Sequence, residues 1–384
     1  MCTITASRLS AVAGLVAASM VPVAGSAADM PNVPFKAPPA ANVSADDRAS
    51  FEMEGIWDRT RFAPRRTFGI VRPFNAANDG FDPSHALMDW DSKGNRYGSE
   101  STVRSRPFFH TGDIATRLFL SGIWLSDRAK SSGTDPLNAA GDSAIVVIPL
   151  IGPFGTSGLI ANNFYTAFPR SASWQFDSRG DTFGGAIGLQ WDLRRGPLRV
   201  DTSAGFRLEK LDRREDITIG ATGFQVSLGN PASLNYASRV DLDATFVAAT
   251  FATRWAYAVT PYVDLIGRGT FDVGRVNASV TGNDTFSITE LVIGNLSGST
   301  AASASGNAMW LRAGMAAGFA WHPRRDVSLT LLGTASWQSN VPYAVYGTAG
   351  ETPSGTFRAS TFGVGFADQT SYGMRGGITV AFGP

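Results

Sequence analysis

Three histidines, and a charged fraction made almost wholly of arginine and carboxylate, are the groups from which this 384-residue chain could build chemistry. His110 stands in Phe108-Phe109-His110-Thr111-Gly112, three residues ahead of Asp113, and an imidazole beside a carboxylate can act as a general base. A hydrolytic centre also needs a nucleophile, and no serine at a recognisable spacing completes a triad. The plainer reading of His110 is a polar residue near an outer strand end. His85 lies in a polar loop, and His322 opens His322-Pro323-Arg324-Arg325-Asp326, a turn composition. No group of His, Cys, Asp and Glu falls at metal-ligand spacing, and the glycines form no phosphate loop. The sequence predicts no catalytic residue, no metal and no cofactor.

The charges carry more information. The 33 basic residues are 29 arginines and only four lysines, Lys36, Lys93, Lys130 and Lys210, against 32 acidic residues. That balance argues against broad nucleic-acid binding. Many of these charges recur at every second position, facing away from an apolar set: Arg199, Asp201, Arg207 and Glu209 alternate with Val200, Phe206 and Leu208. The same logic assigns Glu52, Glu54, Asp113, Arg117, Asp192, Arg194, Asp264, Arg268, Asp272, Arg312 and Arg375 to an enclosed face. Two readings fit. Arginine forks can pair with carboxylates in a filled interior, or opposed acidic and basic walls can line a water-filled passage. Small residues on that face (Gly184, Ala186, Gly188, Gly314, Ala316, Gly318) leave room and favour the passage.

What must position these residues is written in period two. Phe183, Gly185, Ile187, Leu189, Trp191 and Leu193 form one face of a strand, Arg195-Gly196-Pro197 a tight turn, and the run from Leu198 to Leu208 its hairpin partner. The pattern recurs at 263–273, 309–321, 327–338 and 372–382, and less cleanly at Phe51–Trp57, Ile114–Trp124, Ala144–Ile151 and Val240–Tyr257. The last of these changes phase midway, which predicts a β-bulge. Short turns fall near Gly196, Pro261 and Pro323, and long connections at about 58–112, 212–240, 277–305 and 339–369. The long connections read as variable surface loops, or as contact-making ones.

No apolar run of about 18 residues exists beyond the N-terminus, so no transmembrane helix is expected there. The N-terminus reads as an export signal over 1–28, with Arg8, an apolar run from Leu9 to Val23 and small residues Ser26-Ala27-Ala28. A Pro-rich tail follows over 29–48, and 49–384 is the folded unit. The single cysteine, Cys2, lies inside the signal, which suits an oxidising compartment. Aromatic residues sit near the ends of the apolar faces: Trp57, Trp124, Phe183, Trp191, Phe271, Phe319, Trp321, Trp337, Tyr372 and Phe382. Tyr372 to Phe382 covers ~25 Å of height at a ~40° tilt, the thickness of a lipid-facing band. Runs of about ten residues exceed the usual 5–6 of a soluble sandwich. The fold expected is all-β: a closed antiparallel transmembrane barrel of about 10–12 strands with short periplasmic turns and long extracellular loops.

Over 49–384 the chain resembles the bacterial outer-membrane β-barrel superfamily, porin-like members included, and Asp29-Met30-Pro31 resembles an alphaproteobacterial-type leader. The closing strand Tyr372–Phe382 is similar to the signal read by the barrel assembly machinery, although Gly383-Pro384 follow it. The resemblance implies outer-membrane lipid, lipopolysaccharide and that machinery as partners, an outer-membrane location, and a monomer or homo-oligomer. The function expected is a passive pore for small hydrophilic solutes. The alternative is a non-conducting structural or adhesin-type barrel whose loops make the contacts.

Overall fold

The computed structural model describes residues 48–62, 69–71, 93–135, 145–147, 149–150, 171–225, 231–290, 294–351, 357–359 and 362–382. Residues 1–28, and the tail 29–48 apart from Arg48, lie outside these. Ten strands form the wall: β1 Ala49–Phe62, β2 Lys93–Arg104, β3 Ile114–Asp135, β4 Ser171–Arg195 and β5 Leu198–Gln225, then β6 Pro231–Thr260, β7 Val263–Glu290, β8 Gly294–Arg324, β9 Val327–Val345 and β10 Gly363–Phe382. Each pairs antiparallel with its neighbours in sequence, and β10 pairs with β1, so the sheet closes on itself without a free edge. The short strand Phe109–Thr111 continues the line of β2 against the start of β3.

The turns at 112–113, 196–197, 261–262 and 325–326 lie at one end, together with the start of β1 and the end of β10. Gly112 and Gly196 take left-handed φ values of 57° and 61°, the conformation for which glycine is suited at a two-residue turn. By the asymmetry of outer-membrane barrels this is the periplasmic end. Following the register round the ring from Leu198 returns to the same strand at Lys210, twelve residues further on. Ten strands with that stagger tilt by about 40° and enclose a backbone radius of about 10 Å.

Three expectations need correction. First, 93–104 is a wall strand, not part of a long connection. Its outward residues include Ser99 and Ser101, so the apolar alternation that marks the other strands is missing. Second, 212–240 and 277–305 are not loops. β5, β6, β7 and β8 run on for 28, 30, 28 and 31 residues, well past the ~11 that cross a membrane. Third, no bulge interrupts Val240–Tyr257, whose pairing with β7 is continuous from Val240↔Gly282 to Tyr257↔Leu265.

The phase change has another cause. In β6 the even-numbered residues point inward throughout; they are apolar from Leu234 to Ala248 and include Thr250 and Arg254 below. The odd-numbered residues are polar above (Asn235, Arg239, Asp241, Asp243) and mostly apolar below (Val247, Phe251, Trp255, Tyr257). The register is constant while the surroundings invert. Below, lipid lies outside and charge inside; above, water lies outside and an apolar core inside.

That core joins Phe176 of β4, Ile217 and Ile219 of β5, Leu234 and Val240 of β6, Val280 of β7, Trp310 of β8 and Ala344 of β9, all nearly inaccessible. Val364 and Phe366 of β10 pack against it from the far wall. There the barrel is pinched: Cα atoms of β6 approach those of β9, and β7 those of β10, within 8 Å across the interior.

Candidate functional site

The barrel interior at membrane height gathers the charges. Each strand there sends alternate side chains inward, and the small radius makes opposite walls meet. Glu52 of β1 lies 2.7 Å from Arg104 of β2 and 2.6 Å from Arg268 of β7. It also reaches Arg254 of β6 at 3.4 Å, from the strand diametrically opposite. Glu54 contacts Arg268 at 2.6 Å and Arg375 at 3.6 Å, and Arg375 donates to Glu100 of β2 at 2.8 Å.

A second knot sits higher. Arg312 of β8 bridges Asp272 of β7 at 2.6 Å and Glu209 of β5 at 3.0 Å, while Arg207 lies 2.8 Å from Glu209. Towards the periplasmic end Arg117 pairs with Asp192 at 2.5 Å, Arg199 with Asp201 at 2.9 Å, and His322 with Asp264 at 2.9 Å. Glu52, Glu54, Glu209, Asp192 and Asp272 are all buried, and a buried carboxylate is tolerated only when paired in this way.

Of the residues assigned to the interior by alternation, the structure places Glu52, Glu54, Arg117, Asp192, Arg199, Asp201, Arg207, Glu209, Asp264, Arg268, Asp272, Arg312 and Arg375 on inward positions. Arg194 also follows the inward set, but at the exposed periplasmic rim. Asp113 does not belong there; it occupies the exposed turn at 112–113. His110 beside it is exposed and at the periplasmic end, so its expected place near the outer mouth is corrected too. Outward lie Trp57, Trp124, Phe183, Trp191, Phe319, Trp321, Tyr372 and Phe382, all exposed, with Phe271 and Trp337 half-buried on the same faces.

Alternation overlooked Asp58, Arg96, Glu100, Arg104 and Arg254, although each lines the interior. Arg96, Glu100 and Arg104 were hidden because β2 lacks the apolar partner set. Arg254 was legible in principle, between outward Thr253 and Trp255.

Two cavities remain, of about 150 and 110 Å³. Arg207, Arg268 and Arg375 line both and stand between them. The inward glycines do not widen the space. A Cβ on Gly184, Gly188 or Gly318 would collide with backbone of the adjoining strand, so these glycines permit tight curvature. Above the Arg312 knot the guanidinium stacks 5.0 Å from the Trp310 ring, which in turn meets Phe246 at 5.0 Å, and the apolar core begins. Within that core Tyr346 donates to Glu215 of β5 at 2.6 Å, and Arg213 pairs with Asp127 at 2.9 Å. Tyr236 donates to Asp284; burial first, and then that carboxylate, push the phenol far above its ordinary value and keep its proton in place. Among the described residues no group of three His, Cys, Asp or Glu is placed to hold a metal ion.

A closed antiparallel ring with an apolar, aromatic-edged exterior and a charged interior defines the class: a β-barrel of the bacterial outer-membrane type. No family model and no curated protein matches the chain. Among solved structures it is similar to the outer-membrane protease OmpT from Escherichia coli at 10% identity, covering 88% of this chain and 97% of that one, with a TM-score of 0.29. It is also similar to the transport unit of the autotransporter AIDA-I from Escherichia coli, at 10% identity over 97% and 98% of the two chains and a TM-score of 0.26. An anion-selective porin from Comamonas acidovorans gives 12% identity, 87% and 100% coverage, and a TM-score of 0.17. Scores this low fix no function.

Proposed function

We propose that this barrel is a non-conducting surface protein of the outer membrane, one that carries a rigid β-structured extension outside the cell, and that it performs no catalysis. The observation behind this reading is the apolar core in the upper barrel. Side chains from β4 to β9 meet there with β10 packed against them, and a pore open to hydrophilic solutes has no use for a dry outer half. The charge network below adds to it, because Glu52 and Arg254 span the full width of the lumen.

Passive permeation is the second reading, and the two polar cavities favour it. Single-channel recording on the refolded chain in a planar bilayer separates the two. The proposal expects a silent membrane; stable ohmic steps would sink it. If such steps appear, Arg207→Ser together with Arg268→Ser should shift their selectivity towards cations.

A further inference from the structure

Just above the lipid-facing aromatics of β3 and β4, the outer wall carries a group of cations with a shared centre. The side chain of Asp177 is only 10% exposed and lies under three basic groups: Arg179 at 3.0 Å, Lys130 at 3.2 Å and Arg128 at 3.4 Å. Those cations are 62%, 55% and 47% exposed respectively, so their heads face outward while one carboxylate ties them together from beneath. Three positive charges on one negative leave an excess of two. The neighbouring strand adds Arg214 and Asp216, which cancel.

The register sharpens the point. Arg128 stands directly opposite Arg179, and Arg179 opposite Arg214, a row of like charges that repel unless an anion lies among them. Arg179 donates to Asp177 and holds that carboxyl well below its ordinary value, so the tie persists in mildly acid solution. Arg128 is four residues along β3 from Trp124, and Arg179 four along β4 from Phe183. At this tilt that is a rise of about 10 Å. The polar headgroup layer of a membrane leaflet occupies that height.

We propose that Arg128, Lys130 and Arg179 form a binding site for the phosphate group of an anionic lipid in the outer leaflet, with Asp177 as a positioning residue. The site commits to a membrane-anchored phosphate, presented sideways at a fixed height, over free phosphate from solution. It is independent of whether the lumen conducts. Guanidinium and ammonium groups suit a phosphate by charge-assisted hydrogen bonds, and their shared tie to Asp177 reduces the entropy lost on binding.

The test uses the full chain folded in a non-ionic detergent and titrated with a bisphosphorylated glucosamine-disaccharide lipid, its dephosphorylated counterpart and inorganic phosphate, with adducts read by native mass spectrometry. The phosphorylated lipid should bind the native protein roughly a hundredfold more tightly than it binds the triple variant R128S/K130S/R179S, from about fivefold per basic residue. Heat-modifiable gel migration confirms that the variant has folded. Arg275→Ser, which removes a cation at similar height on β7, should leave affinity unchanged. Equal binding by the triple variant, or equal loss with Arg275→Ser, overturns the site. Equal binding of the dephosphorylated lipid overturns phosphate recognition. Displacement of the lipid by millimolar inorganic phosphate overturns the commitment to a membrane source.

Discussion

The lower and upper halves of the β5–β6 hairpin share one register, one sheet and one pair of faces, yet they follow opposite rules. In the lower half Phe206, Leu208 and Phe251 point outward, and Asp201, Arg207 and Arg254 inward. In the upper half Asp216, Arg239 and Asp241 point outward, and Ile217, Ile219 and Val240 inward. The strand itself is indifferent to which face is apolar, because its backbone hydrogen bonds are made within the sheet in either case. The solvent outside decides. Hydrocarbon rewards an apolar exterior and forces charge inward, where it must pair; water reverses both preferences. The crossover falls where Phe246 pairs with Glu209, and where Trp310 stacks on Arg312.

Substitutions that ask the two halves the same question test this comparison. The largest effect should come from Glu52→Ala, which leaves Arg104, Arg254 and Arg268 without their common partner. A loss of about 3–5 kcal/mol is expected in urea unfolding from lipid or detergent, and a near-neutral result would mean that the lower interior is hydrated enough to do without pairing. Trp310→Ala tests the other half. Removing the largest fully buried side chain of the upper core should cost about 3–5 kcal/mol.

Smaller, but more telling, is the same change made on the outer wall at two heights. Phe206→Lys, at a residue 73% exposed in the lower band, should cost about 2–4 kcal/mol in a bilayer. Thr281→Lys, on the outer wall above, should stay within about 0.5 kcal/mol. Equal penalties would mean that the apolar band is misplaced.

The smallest effect concerns pH. Asp177 has its folded value depressed by Arg179, so its ion pairs contribute above the ordinary carboxylate range and are lost as pH falls through it towards the folded value. Its partners are exposed, so the increment is modest. Between neutral pH and pH ~2 the native protein should lose at most about 0.5 kcal/mol more than Asp177→Asn. A larger difference would show that this cluster is shielded from water.

The period-two runs at 183–193, 198–208 and 372–382 were legible because lipid demands large apolar residues on one side, and such residues are conspicuous. The upper continuations were not. The outward residues of β7 there are Asn277, Ser279, Thr281, Asn283 and Thr285, alternating with small inward ones such as Ala278, so the stretch has the composition of a loop. β2 escaped notice for a related reason, its outward Ser99 and Ser101 being too small and polar to mark a lipid face. For the interior, alternation found most of the charged residues but could not say which of them meet.

By itself the sequence determined the barrel class, the direction in which each membrane-height strand faces, and the sign of the charges it encloses, because these follow from local alternation against hydrocarbon. Tertiary structure alone decided the rest. With ten strands and a twelve-residue stagger the ring is narrow enough for Glu52 to reach Arg254 across it, and the upper walls close on a shared core. Such meetings depend on radius and register, which no single strand records.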